Sequence, residues 1–190
     1  MTRIFIADVS CIDIEAFLGK VSPARREKTL RLSKDDDKRR SLGAEMLLIK
    51  AAGRDDYVLS KNEKPYFPDN EVFFSLAHCG DYAVCAVSDV PVGVDIELPR
   101  AGGARLAKRF FQSDEVYAAD DPDREFCRLW TLKESYIKCA DLRLGNIRSF
   151  SVVSGAEGCS FSGASHGEYL IGCCAKTLDI GEIIIINEKI

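Results

Sequence analysis

Two carboxylates stand close together in PVGVDIEL, residues 91–98. The side chains of this stretch alternate: Val92, Val94, Ile96 and Leu98 face one way, and Gly93, Asp95 and Glu97 face the other, the period of a half-buried strand. That period sets the Cα atoms of Asp95 and Glu97 roughly 6–7 Å apart on one face. Carboxylates so placed repel each other unless a cation or a basic group lies between them. With a third carboxylate from elsewhere they would form an oxygen-ligand set for a hard divalent cation such as Mg2+. Taken alone, the pair reads equally well as the exposed acidic edge of an ordinary strand.

The third carboxylate has a candidate in WTLKESYIK, residues 130–138. On a helix Trp130, Glu134 and Lys138 fall at i, i+4 and i+8 and share one stripe. Glu134 could then join the acidic pair, with Lys138 as a cation beside it. The competing reading is a surface Glu-to-Lys pair worth about 0.2–0.5 kcal/mol.

A second constellation is basic. Between residues 20 and 40, nine Lys or Arg stand against four acids, a local balance of +5 in a chain of net charge −4. Arg25, Arg26 and Lys28 lie within one helical turn and can present one cationic face. This is either a solvated helix surface or a pocket for an anion, phosphate first among them. His78 lies in AHCGD, residues 77–81, at a strand end where side chains often face a ligand. A bound phosphate would give both His78 and the basic cluster a role. The acidic overall balance argues against a general nucleic-acid binder.

These side chains need a framework to hold them. Apolar alternation predicts strands over 3–9, 72–76, 82–88, 150–153, 169–175 and 180–187, besides 91–98, and a short one near Tyr57. Ser22-Pro23 opens a helix that runs to about residue 32. Ser33 is placed to cap another, which has Asp35, Asp36 and Asp37 in its first turn and ends at Gly53. Shorter helices are expected over 12–18 and 106–111, and Ser113 is placed to cap the next. The long helix bearing Glu134 is expected over 124–140. Each half opens with a strand, continues into helices and closes with paired strands, which suggests two similar subdomains, 1–90 and 91–190, meeting along a face.

At 190 residues and 46% hydrophobic content the chain can bury a real core. No apolar run is long enough to span a bilayer, and MTRIFIADVS lacks the features of a signal peptide. The eight cysteines show neither CxxC pairing nor metal-ligand spacing. Buried free thiols in a reducing cytoplasm are expected.

GVDIE at 93–97, RFF at 109–111 and WTLKESYIK at 130–138, in that order and spacing, resemble the 4'-phosphopantetheinyl transferases of the surfactin-synthetase-activating (Sfp) type. SPARREK at 22–28, KRRSLGAE at 38–45, EKPYFP at 63–68 and SLAHCG at 75–80 extend the resemblance over most of the chain. It implies an α+β fold, two similar subdomains in a pseudo-twofold arrangement with the active site at their interface. It implies an enzyme that binds coenzyme A and Mg2+ and transfers the phosphopantetheine arm to a serine hydroxyl of an apo acyl or peptidyl carrier protein, releasing adenosine 3',5'-bisphosphate. The carrier would serve fatty-acid, polyketide or nonribosomal-peptide synthesis.

By the same resemblance Asp95, Glu97 and Glu134 hold the metal, and Glu134 also accepts the serine proton. Lys138 steadies the diphosphate or protonates the leaving group. Arg25, Lys28 and Arg40 grip the 3'-phosphate and adenine end, and Lys64 and His78 complete the anion contacts. Neither nucleic acid nor membrane is an expected partner, and a monomer is the simpler expectation.

The chain departs from the family pattern at Glu63, where glycine is usual, and at Ala77 and Cys79, which flank His78 where serines are usual. Arg25 stands where lysine is frequent. Two other classes compete with the transferase: a metal-dependent phosphohydrolase or nuclease, and a non-catalytic coenzyme A or carrier-protein binder that kept the fold. The binder would be expected to have lost one of Asp95, Glu97, Glu134 or Lys138, and all four are present.

Overall fold

The computed structural model describes residues 1–116, 118–156, 158–181 and 183–190. Strand β1 (Arg3–Asp8) leads to helix α1 (Ile14–Leu18), α2 (Pro23–Leu30) and the long α3 (Asp35–Ala52). A small ribbon, β2 (Val58–Leu59) with β3 (Pro65–Tyr66), precedes the hairpin β4 (Phe73–Cys79) and β5 (Tyr82–Ser88). Then come β6 (Val92–Glu97), the short α4 (Ala107–Phe110), α5 (Pro122–Cys139), and β7 (Ser160–His166), β8 (Tyr169–Ala175) and β9 (Ile184–Glu188). No helix among the described residues is long and apolar enough to cross a membrane.

The result is a mixed α+β protein with two main sheets. One has the order β4-β5-β1-β9 and the other β6-β8-β7. Period-two alternation gives each strand of the first sheet two apolar faces. Phe5, Ala7, Ala83, Cys85 and Val87 turn toward Leu42, Leu47 and Leu48 of α3. Ile4, Ile6, Val84 and Ala86 turn toward Val92, Val94, Ile96, Ile171 and Cys173 of the second sheet. Helix α5 covers the outer face of that second sheet. The layers are therefore helix, sheet, sheet, helix. The Val94 amide donates to Ser75 Oγ at 3.1 Å, joining β6 to β4.

Strand β9 pairs in parallel with β1, Arg3 opposite Ile184, so the last strand of the chain returns to the sheet of the first half. Glu182, within the strand expected over 180–187, lies outside the described residues.

Several local expectations need correction. Residues 150–153 form no strand, because the Val153 and Ser154 amides turn back to donate to Ser151 Oγ at 3.1 Å. The N-cap of α3 is Lys34, not Ser33, and no side chain caps it. Three acids in the first turn take over, each paired three residues on: Asp35 with Lys38, Asp36 with Arg39 and Asp37 with Arg40. Gln112, not Ser113, caps the single 3-10 turn that follows it, with Glu115 returning to accept from the Gln112 amide at 2.7 Å. Helix α5 starts earlier than expected, with Asp121 as its cap and Pro122 in its first turn.

Candidate functional site

The positions of Asp95 and Glu134 are set by two glycines. On β6 and β8 the residues facing α5 include Gly93 and Gly172, and Gly172 pairs with Asp95 across the ladder. A Cβ on Gly93 would fall 1.8 Å from the Ser135 carbonyl oxygen, and one on Gly172 would fall 2.4 Å from the Thr131 carbonyl carbon. The backbone of α5 therefore rests directly on the sheet, a close approach that only glycine permits.

That contact brings Asp95 against α5. Lys138 Nζ donates to Asp95 Oδ1 at 2.7 Å and to the Val94 carbonyl at 3.1 Å. Asp95 is buried, and its Oδ2 has no hydrogen-bond partner. Burial pushes the Asp95 carboxyl upward against the pull of Lys138, with Glu97 adding to the rise. Glu134 is pushed up to about 7 by burial first and by the Asp95 charge next, with Lys138 opposing. Glu97 accepts from Cys79 Sγ at 3.3 Å. Three carboxylates thus share one electrostatic neighbourhood with a single ammonium group tied to one of them.

A metal fits this arrangement by its chemistry. Asp95 offers a buried, unpaired oxygen, which costs free energy until something positive meets it. Glu134 and Glu97 offer further oxygens on the same side of β6 and α5. Asp95, Glu97 and Glu134 do not bring one oxygen each within 4.8 Å of one another, so an ion among them would need waters and substrate oxygens to complete its shell, as Mg2+ ordinarily does.

The basic residues arrive from the first half. Arg25 is buried and donates from Nε to Glu45 Oε2 at 2.9 Å. Glu45, fully buried on α3, also accepts from the Ser22 amide and from Tyr57 Oη, each at 2.6 Å. Lys28 is held below its ordinary range by partial desolvation and the Arg25 charge, with Glu63 opposing. Arg40 donates to the Gly80 carbonyl at 3.0 Å and to Asp37 at 2.5 Å. His78 keeps solvent access at the end of β4, yet desolvation and the Lys138 and Arg40 charges push its imidazole down to about 4. It is neutral at pH 7.

Lys64 reaches β6 and the end of α5. Its Nζ lies 3.4 Å from the Val92 and Cys139 carbonyls, and with Lys138 it lines a cavity of about 210 Å3. The loop that carries it is fastened to the turn after α5 by Ser60 and Asn62, which donate to Asp141 at 2.9 and 2.6 Å.

The charges of Lys138, Arg40 and Arg25 therefore all reach His78, and Lys28 stands beside Arg25. Lys64 shares a cavity with Lys138 and is engaged with the Val92 and Cys139 carbonyls. The departures noted in the sequence also find physical expression. Glu63 has φ +67°, the left-handed region that favours glycine, at about 1–2 kcal/mol for a residue with a Cβ. Cys79 donates its thiol to Glu97.

Sequence reasoning missed two residues that hold this site, Glu45 and Lys133. Glu45 anchors Arg25, and its only signal was an acid inside the apolar run of α3. Lys133 is fully buried and donates to Glu115 at 2.7 and 2.9 Å and to the Phe150 carbonyl at 2.8 Å, fixing α5 to the loops around it. Trp130, on the same stripe as Glu134, stacks on Phe126 and meets Phe110 edge-on. With Glu97 these rings line an apolar cavity of about 360 Å3.

Residues 91–180 match the profile of the 4'-phosphopantetheinyl transferase superfamily. A 4'-phosphopantetheinyl transferase of Bacillus subtilis is 36% identical over 153 residues, 73% of this chain and 68% of that protein. The 4'-phosphopantetheinyl transferase Sfp of Bacillus subtilis strain 168 is 34% identical over 139 residues, 65% of this chain and 62% of that protein. The corresponding protein gsp of Aneurinibacillus migulanus is 34% identical over 133 residues, 63% and 56% of the two chains. This chain thus spans between about half and two thirds of the length of these relatives. The profile covers the strand of Asp95 and Glu97 and the helix of Glu134 and Lys138, and the relatives extend the likeness beyond it, so the chain belongs to the 4'-phosphopantetheinyl transferase family.

Proposed function

We propose that this protein transfers the 4'-phosphopantetheine moiety of coenzyme A to a serine hydroxyl of an apo acyl or peptidyl carrier protein, with Mg2+, releasing adenosine 3',5'-bisphosphate. The observation that carries the reading is buried Asp95, half satisfied by Lys138 and half unpaired, beside a Glu134 whose proton affinity is raised to about 7. Asp95, Glu97 and Glu134 would hold the metal. When bound, the ion would neutralise charge on the diphosphate oxygens.

The chain's own residues supply the rest. Glu134, on α5 beside Asp95, would accept the serine proton during attack. Lys138 is within reach of Asp95 and can shift its ammonium to the leaving diphosphate, either steadying it or protonating it. Arg25, Lys28 and Arg40 would bind the 3'-phosphate and adenine end, with neutral His78 as a hydrogen-bonding contact and Lys64 at the interface. The apolar cavity beside Glu97 and Trp130 would admit the pantetheine arm or the carrier segment. The two halves, 1–90 and 91–190, each packing one 18-residue helix on a sheet, would form the pseudo-twofold pair, with β9 crossing back. All eight cysteines are free, in keeping with a cytoplasmic protein, and a monomer suffices for the site.

Counting released adenosine 3',5'-bisphosphate with and without an apo carrier tests the reading. Release that needs the carrier supports it, whereas release from coenzyme A alone would make the protein a phosphohydrolase. In the same assay Lys28→Ala is expected to raise the KM for coenzyme A more than it lowers kcat. Adding Arg25→Ala should deepen that effect but also destabilise the fold by about 3–5 kcal/mol, because it strands the buried Glu45 charge. A drop in kcat at unchanged KM for Lys28→Ala would place that residue elsewhere in the reaction.

The raised Glu134 affinity has a pH consequence. A metal must displace its proton, so Mg2+ affinity should rise with pH up to about 7 and level off above it. In the metal-free protein the sign for stability is opposite. The shift from 4.5 to about 7 favours the folded state while Glu134 is protonated, and that contribution is lost as pH rises through 7. Calorimetric Mg2+ titrations across this range check the first point; a flat profile would remove Glu134 from the ligands.

A further inference from the structure

Cys139, Cys159 and Cys174 come from three separate places: the last residue of α5, the loop ahead of β7, and the later part of β8. Their Sγ atoms nevertheless all lie within 4.8 Å of one another. Cys139 and Cys174 are buried, while Cys159 is partly exposed and leaves a route in from solvent. A buried thiol is ordinarily a small hydrophobe. Cys85 and Cys173 are of that kind, each fully enclosed in an apolar cluster. The trio differs, because its three sulfurs face one another.

The electrostatics favour a thiolate at one member of the trio: Cys139 is held below its ordinary thiol range, chiefly by its hydrogen bond with Cys174, whereas burial pushes Cys159 up and the hydrogen bond to Cys139 pushes Cys174 up. Lys64 Nζ reaches the Cys139 carbonyl at 3.4 Å, and the charges of Lys64 and Lys176 both favour the ionised Cys139 sulfur. No His, Asp or Glu of the described residues joins the group, so the ligand set is sulfur alone. Sulfur-only sets select soft cations over hard ones. Metal–sulfur bonds of about 2.3 Å would draw the sulfurs to roughly 3.8–4.0 Å from one another, a contraction of about an ångström at most. Charge also balances: three thiolates leave −1 around a divalent ion and −2 around a monovalent one, and two ammonium groups flank the site.

We propose that Cys139, Cys159 and Cys174 form a three-thiolate site for a thiophilic d10 cation, either Cu(I) in trigonal coordination or Zn2+ with a water as fourth ligand. Binding would release the three thiol protons to solvent as three metal–sulfur bonds form. It would tie the end of α5, one residue beyond Lys138, to β8 and to the loop ahead of β7. This site shares no ligand with the carboxylates of Asp95, Glu97 and Glu134.

The test titrates the reduced, chelator-stripped protein without oxygen, with Cu(I) against a chromogenic competitor and separately with Zn2+ alone. One equivalent of at least one of these ions is expected per chain, with a rise in Tm. Cys159→Ser and Cys174→Ser should each weaken binding by more than about tenfold, since loss even of an outer-shell partner costs that much. Cys159 lies in a partly exposed loop, so its serine variant should keep the wild-type circular dichroism. Cys11→Ser, at an exposed position, should bind as wild type does. Failure to bind either ion stoichiometrically would overturn the proposal. So would wild-type affinity in both serine variants, or loss of the bound equivalent in Asp95→Asn, which would move binding to the carboxylates.

Discussion

Glu134→Gln is expected to lower the transfer rate by about 10²–10⁴-fold, the contribution of a positioned general base, while coenzyme A binding changes only slightly. Glutamine keeps the volume and an acceptor oxygen but can neither take up the serine proton nor carry charge to a metal. Glu134 sits on α5 beside Asp95, whereas the basic residues proposed for the 3'-phosphate end come from α2 and α3, so binding energy and chemistry should separate. Direct binding of coenzyme A and single-turnover transfer measure the two parts. Undiminished transfer would remove Glu134 from the mechanism. An equal loss in binding and rate would make it a binding group alone.

The second large effect concerns a residue with no side chain. Gly93→Ala places a methyl group 1.8 Å from the Ser135 carbonyl oxygen and 2.5 Å from the Cys139 amide nitrogen, both on the α5 backbone. Flexible side chains can move aside, but a helix backbone held by its own hydrogen bonds must move as a unit. The cost should reach or exceed the upper end of the roughly 1–3 kcal/mol typical of overpacking. Transfer should also fail, because α5 carries Glu134 and Lys138 and would leave Asp95. Gly163→Ala is the control: its methyl would meet only the Ile171 carbonyl oxygen, at 3.8 Å, and stability should stay within about 0.5 kcal/mol. Urea unfolding and transfer rates measure both. A Gly93→Ala protein with wild-type midpoint and rate would show that the helix does not need this contact.

The carboxylate strand was legible because its pattern is local. Alternation over six residues of β6 put Val92, Val94 and Ile96 into the core and left Asp95 and Glu97 facing α5, where the structure has them. The stripe of Trp130, Glu134 and Lys138 was legible for the same reason, at helical period. What escaped depends on pairings across long stretches of chain. Glu45 gains meaning only from Arg25, Ser22 and Tyr57, brought together by the packing of α2 on α3. Lys133 reads as an ordinary surface lysine until Glu115 and the Phe150 carbonyl enclose it. The cysteine trio has no spacing signature, because its members are 20 and 15 residues apart on a helix, a loop and a strand. Strand 150–153 was misread because Ser151 offers its hydroxyl to two following amides, a local alternative to a ladder that apolar pattern alone does not register.

The central claim is transfer of phosphopantetheine to a carrier. It is tested most directly by intact-mass spectrometry of apo carrier proteins from fatty-acid, polyketide and nonribosomal-peptide systems, incubated with this protein, coenzyme A and Mg2+, with EDTA in a parallel set. The account predicts the gain of one phosphopantetheine on the carrier serine of at least one of them, abolished by EDTA. No gain on any carrier, or a gain indifferent to EDTA, would contradict it.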